Sequence, residues 1–181
     1  MRHIVITPVV VGLLGLAALA VPATAQAATV DDTPTTFSIT AGEMALTVPV
    51  SADLGTVAIG AASVQAQLGA VEVSDQRAST DGGWTASVVS SDFGIGTTPT
   101  PAETIPAADV AYTSGSATAT TGTGTFTPGG SAGAIDTAQT AFSAASEVGA
   151  ATVTFNPTIT VTLPSAVVAG DYSGTITHSL A

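Results

Sequence analysis

With 13 acidic side chains against two basic ones in 181 residues, the chain carries a formal net charge of −11 and has no lysine. Such a surface repels nucleic acid, anionic lipid and anionic wall polymers, which are held through Lys and Arg contacts, and nucleic-acid binding is excluded on that ground. Cysteine is absent as well, so there are no disulfide staples and folding must rely on burial.

The chain opens with "MRHIVITPVVVGLLGLAALAVPATAQA": Arg2 and His3, an apolar run, then small residues ending in Ala25-Gln26-Ala27. This pattern is expected to be a secretory signal peptide over residues 1–27, with the mature chain starting near Ala28; a retained N-terminal anchor is the alternative. No second long apolar segment follows, so no membrane span is expected after signal removal. Loss of Arg2 takes the charge from −11 to −12 and leaves Arg77 as the one cationic side chain. Residues 28–181 suit one domain with a sizeable core.

"TTFSIT" alternates at Phe37 and Ile39, and "MALTVPV" at Met44, Leu46, Val48 and Val50, with Gly42 between them. Both read as strands joined by a tight connection. "QLGAVEVSD" continues the pattern with Val71 and Val73, and "GWTASVV" places Trp84, Ala86 and Val88 on one face. The prolines of "GIGTTPTPAETIPAA" predict a loop. Beyond it, "DVAYTSG" and the Thr-rich segment at 117–127 predict short strands, the latter an edge strand because nothing in it asks to be buried. "TAQTAFSAA" fits strand or helix and is read as strand. "ATVTFNPTITVTLP" alternates at Val153 and Phe155, breaks at Pro157, and resumes at Ile159, Val161 and Leu163. "DYSGTITHSL" then places Tyr172, Gly174, Ile176, His178 and Leu180 on one face. Eight to ten short strands with turn signals and no alternating helices predict an all-β fold, an antiparallel β-sandwich, ahead of a closed barrel.

Chemical motifs are few. "GGSAG" fits G-x-S-x-G, and Ser131, Asp136 or Asp171, and His178 follow the chain order of an α/β-hydrolase. A nucleophile elbow needs a strand leading into a helix, whereas Ser131 follows the turn signature "TPGG", so a surface loop is expected and no enzyme activity. One mature histidine and no cysteine cannot build a zinc site. Neither "VDDT" nor "STDGGW" spaces its acids as a calcium loop does, so no cofactor is expected, although weak calcium binding stays open to so many carboxylates. No pair among the acids stands out as a glycosidase pair. Asn156 precedes Pro157, which removes its glycosylation signal, and the missing lysine rules out a Lys–Asn isopeptide cross-link. The ending "THSLA" carries no sorting signal, so attachment to a cell is expected to be non-covalent.

"GWTAS" and "YSGTITHSL" together resemble the WxL domain, a secreted surface module of Gram-positive bacteria with a proximal Trp-x-Leu and a distal Y-x-x-x-L-T-W-x-L motif. Here Trp84 stands with Ala86 in place of leucine. Tyr172, Thr177 and Leu180 are kept, Ile176 replaces leucine, and His178 stands at the second tryptophan. The likeness extends over most of the mature chain, including "VSDQR" ahead of Gly83-Trp84, and is greatest to divergent actinobacterial members. It implies a β-sandwich that attaches non-covalently to the cell wall, with peptidoglycan the usual ligand. The candidate ligand-binding residues are Trp84, Tyr172, His178 and Leu180; each pair at i and i+2 suits either a packed core or an exposed stripe that stacks on sugars. Given the charge, peptidoglycan or another neutral wall glycan is the expected partner. The alternative is a structural or adhesive subunit that pairs with another surface protein through edge strands.

Overall fold

The alternation of β-branched and polar residues, punctuated by Gly and Pro, leaves little for a helix to bury, and the computed structural model has no α-helix among the residues it describes, 31–181. The expected signal peptide, residues 1–27, lies outside them. The chain divides into two units, Met1–Ser38 and Ile39–Ala181. In the first, residues 31–38 carry no regular secondary structure and are exposed. The strand expected over 35–40 is not formed: Phe37 and Ile39 alternate as in a strand but are 86% and 82% exposed, and alternation without a neighbour to pair with holds no ladder.

Twelve strands are found among the described residues: β1 (Met44–Thr47), β2 (Ser63–Gln67), β3 (Val71–Ser90), β4 (Phe93–Ile95), β5 (Thr104–Ile105), β6 (Val110–Thr113), β7 (Ala117–Pro128), β8 (Ser131–Ala134), β9 (Gln139–Phe155), β10 (Thr158–Thr162), β11 (Tyr172–Ser173) and β12 (Ile176–Leu180). All pairings are antiparallel. One sheet runs β1-β3-β9-β7, with β12 also on β3; a second runs β2-β10-β6-β8; a small third runs β11-β4-β5. The inner faces of the first two supply the core, Val71, Val73, Val153 and Phe155 on one side and Val110, Tyr112, Ile159 and Val161 on the other. This is the expected all-β, sandwich-like architecture. Among the described residues no helix is long and apolar enough to cross a membrane.

The strands are more numerous than expected and two are long. The "VEVSD" of "QLGAVEVSD" and "GWTASVV" lie at the two ends of the 20-residue β3, and the "QTAFSAA" of "TAQTAFSAA" and "ATVTF" at the two ends of the 17-residue β9. The reason is a change of side-chain parity within each strand. In β3 the buried residues are odd-numbered through Val71, Val73 and Asp75, then even-numbered from Trp84 through Ala86 and Val88. A one-residue slip turns every later side chain to the opposite face. Here the slip is taken up by register shifts between Asp75 and Trp84, where Ala78 (φ 54°) and, on β9, Ser146 (φ 53°) adopt left-handed backbone. The Pro-rich stretch is not wholly loop either, since it holds β5 and two single 3₁₀ turns, and β4 runs into its start. The Thr-rich β7 is an edge strand as expected: it pairs with β9 alone and nearly all of it is exposed.

Candidate functional site

The Trp84 segment and Ile176–Leu180 are neighbours in the first sheet, whereas Tyr172 lies in β11, which pairs with β4 in the third. Leu180 lies opposite Ala86, His178 opposite Val88 and Ile176 opposite Ser90. Thr85 and Ala181 exchange backbone hydrogen bonds of 2.8 and 3.1 Å. The parity change in β3 turns Trp84 inward, so the tryptophan is 4% exposed and its indole N–H donates to Glu147 Oε1 at 3.1 Å. Leu180 packs on the same core. An exposed stacking stripe through Trp84 and Leu180 is therefore not formed; both are packing residues.

Tyr172 and His178 differ, because each borders open space. Tyr172 donates its hydroxyl to the Val168 carbonyl at 2.8 Å, with the Ala102 carbonyl at 3.4 Å. Its ring lines a cleft of about 750 Å³ between the segments 52–60 and 167–174. His178 lines a second cleft of about 300 Å³, and the two share Ala52, Leu54, Phe93 and Gly174 as walls. Gly174 is needed there: a Cβ at that position would come within 2.7 Å of the Phe93 ring. Among the described residues, the charged ones lining either cleft are Asp53 and Asp171, so an anion is repelled there while a neutral molecule is not.

His178 is tied across the sandwich. Its Nε2 is 3.0 Å from the Tyr112 hydroxyl and the two rings meet edge to face with centroids 5.6 Å apart. Burial lowers the imidazole pKa and raises that of the phenol, so both are neutral at pH 7. Among the described residues the hydrogen-bond partner of the imidazole is this phenol.

Of the other residues in the hydrolase-like chain order, Ser131 opens β8, a strand, and no helix follows it; Asp136 is exposed beyond that strand, and Asp171 is exposed at the larger cleft. No group of three His, Cys, Asp or Glu side chains among the described residues could hold a metal ion.

A second polar cluster, which no spacing in the sequence betrays, lies at the bend of β3 and β9. Arg77 donates to Asp75 from Nε at 2.9 Å and Nη2 at 2.6 Å, and from Nη2 to the Gly83 carbonyl at 2.9 Å. Glu147 reaches the same place from β9. Sequence reasoning also missed the wall residues Leu54 and Phe93. The available signal was the Gly-flanked apolar run holding Val57 and Ile59, which are 42% and 72% exposed at the cleft rim.

Comparison of the chain with protein-family models, with curated proteins and with solved structures found no match.

Proposed function

We propose that this chain is a secreted, non-enzymatic surface module that associates non-covalently with the bacterial cell wall through peptidoglycan or another neutral wall glycan. The observation that carries the reading is the pairing of β12, the end of the distal WxL-like stretch, with the part of β3 that follows Trp84, from Ala86–Leu180 to Ser90–Ile176, although the two are far apart in the chain. The double cleft beside them supports a neutral ligand. Its charged lining residues are both acidic, and Phe93 and Tyr172 are among the lining residues, aromatic side chains of the kind that sugars stack on. Trp84 and Leu180 serve this reading as the packing that holds β12 in place, and Tyr172 and His178 as the residues that border the ligand.

The test is co-sedimentation of the purified protein with Gram-positive peptidoglycan and with whole walls, in calcium and in EDTA, beside a folded Tyr172→Ala variant. Pelleting of the wild type with a loss of about tenfold in the variant is the expected result; a lost contact of about 1.4 kcal/mol corresponds to that factor. Absence of wall association in all conditions overturns the proposal. Binding in calcium alone would assign the ligand to anionic polymers bridged by the cation and remove the neutral-glycan reading.

A second reading, a subunit that pairs with other proteins through edge strands, is favoured by β7. This edge is 12 residues long and sits within a charge-free stretch from Val110 to Ile135. Edges are ordinarily blunted by lysine or other charges, and β7 has neither. Concentration-dependent oligomers in light scattering, lost on Thr123→Asp, support this reading; a strict monomer counts against it.

A further inference from the structure

Where β3 and β9 bend, the sheet buries two acidic side chains against each other. Asp75 is 3% exposed and Glu147 is 1% exposed; on the facing strands Asp75 pairs with Ala151 and Glu147 with Gly82 across the register shifts, and each carboxyl perturbs the titration of the other. The β3–β9 ladder shifts register three times between Asp75 and Trp84. Glycines on both sides let Glu147 in: a Cβ at Gly124 of β7 would come 2.9 Å from its Cγ, and one at Gly82 of β3 would come 3.4 Å from its Cβ.

The charges do not balance if both groups are ionised. Arg77, the one Lys or Arg among the described residues, forks onto Asp75 and adds its backbone N–H to Oδ1 at 2.9 Å. Glu147 receives the Trp84 indole N–H on Oε1, while Oε2 is buried with no partner. Among the described residues no other charged side chain acts on the pair. On β1 the residue opposite Asp75 is Met44, on β7 the neighbours are Gly124 and threonines, and on β3 they are Ser79, Gly82 and Trp84. A second carboxylate in that setting is an unpaired buried charge, which proteins avoid by taking up a proton.

We propose that Asp75 and Glu147 hold one proton between them in the folded protein, and that this carboxyl–carboxylate pair is a pH-responsive latch that keeps the bend of β3 and β9 closed over Trp84. The proton resides on Glu147. The Arg77 hydrogen bonds hold Asp75 below the ordinary carboxylate range, and burial, reinforced by Asp75, pushes Glu147 above it. A protonated Glu147 becomes a donor to Asp75 and no longer leaves a buried acceptor unpaired.

The two groups act on stability in opposite senses. Glu147 titrates higher folded than unfolded, so its contribution is complete below its ordinary value of 4.5 and is lost as pH rises through the folded value. Asp75 titrates lower folded than unfolded, so its contribution is present above 3.8 and is lost as pH falls through the folded value. The latch is therefore closed in mildly acidic medium and loosens toward alkaline pH. The left-handed residues Ala78 and Ser146 mark the strained backbone that opens first.

Trp84 is the sole tryptophan in the chain, and its indole touches the proposed switch, so its emission reports the state of Glu147. The experiment is a fluorescence titration of the native protein from pH 4 to 8.5, beside a Glu147→Gln variant, which carries the hydrogen-bonding pattern of the protonated acid at every pH. The expected result is a step in wild-type emission with its midpoint above 4.5 that is absent in the variant, and a denaturation midpoint that falls toward alkaline pH more in wild type than in the variant. A step that persists in Glu147→Gln overturns the proposal. Should the variant fail to fold, a carbon-13 NMR titration of the Glu147 carboxyl in the wild-type protein decides it: a midpoint at or below 4.5 overturns the latch and a higher one supports it.

Discussion

The tie between Tyr112 and His178 joins the second sheet to the edge strand β12, and its strength can be worked from the contact. Tyr112 is 3% exposed, whereas His178 is half-buried against a cleft of about 300 Å³ that admits water. Replacing His178 by Phe leaves a buried hydroxyl unpaired at a cost of about 1–3 kcal/mol. Replacing Tyr112 by Phe leaves only the imidazole nitrogen, which water can reach, at about 0.5–1 kcal/mol. The double variant removes both polar groups and keeps two rings that meet edge to face, so the losses are not additive and the coupling is about 1 kcal/mol. Urea unfolding followed by Trp84 fluorescence at pH 7.5 measures all four proteins. Additivity within about 0.3 kcal/mol would refute the reasoning, as would a Tyr112→Phe variant weaker than His178→Phe. The pH dependence gives a second check. Burial lowers the folded pKa of His178 below its ordinary value of 6.5, so its share of the stability is present above that value and lost as pH falls through the folded one. His178→Phe is expected to remove that acid-side loss, which has the opposite sign to the loss assigned to Glu147.

Two further outcomes test the packing. Phe142 is fully buried, stacks on Phe155 with ring centroids 4.7 Å apart and lies 6.3 Å from the Trp84 ring. Phe142→Ala is expected to cost about 3–5 kcal/mol, read as a fall in Tm of roughly 6–20 °C by calorimetry; a loss under about 1 kcal/mol would show that the site collapses and the stack carries little. Ser146 holds φ at 53°, a conformation that costs a residue with a Cβ about 1–2 kcal/mol. Ser146→Gly relieves this and adds unfolded-state entropy of about 0.5–1 kcal/mol, so a net gain of roughly 0.5 kcal/mol is expected in urea unfolding; a clear loss would mean that the serine side chain braces the bend.

How far the chain could be read follows from the range over which each signal acts. Period-two alternation at Val71–Val73, Trp84–Ala86–Val88, Val153–Phe155 and Ile159–Val161 is a local property, and each of these stretches is a strand with the expected face buried. The exposed threonines of β7 mark an edge for the same reason: a strand with nothing to bury is not driven inside. Phe37 and Ile39 have the same alternation and form no strand, because pairing depends on a neighbour that alternation does not specify.

The candidate site was legible in part. "THSL" set His178 and Leu180 on one face, but whether that face met solvent or the core depended on the register of β12 on β3. For Trp84 the outcome turned on bulges near Ala78 that reverse parity, and a bulge adds a residue without disturbing the local pattern on either side. Composition, charge and alternation thus determined by themselves an all-β, acidic fold with no cation to spare. Which strands are one strand, which cleft His178 and Tyr172 border, and that Asp75 and Glu147 come together over a tryptophan 63 residues from Glu147 were decided only in the tertiary structure. Those facts depend on contacts between segments distant in the chain, and their energies arise only once burial has removed the water that would otherwise screen them.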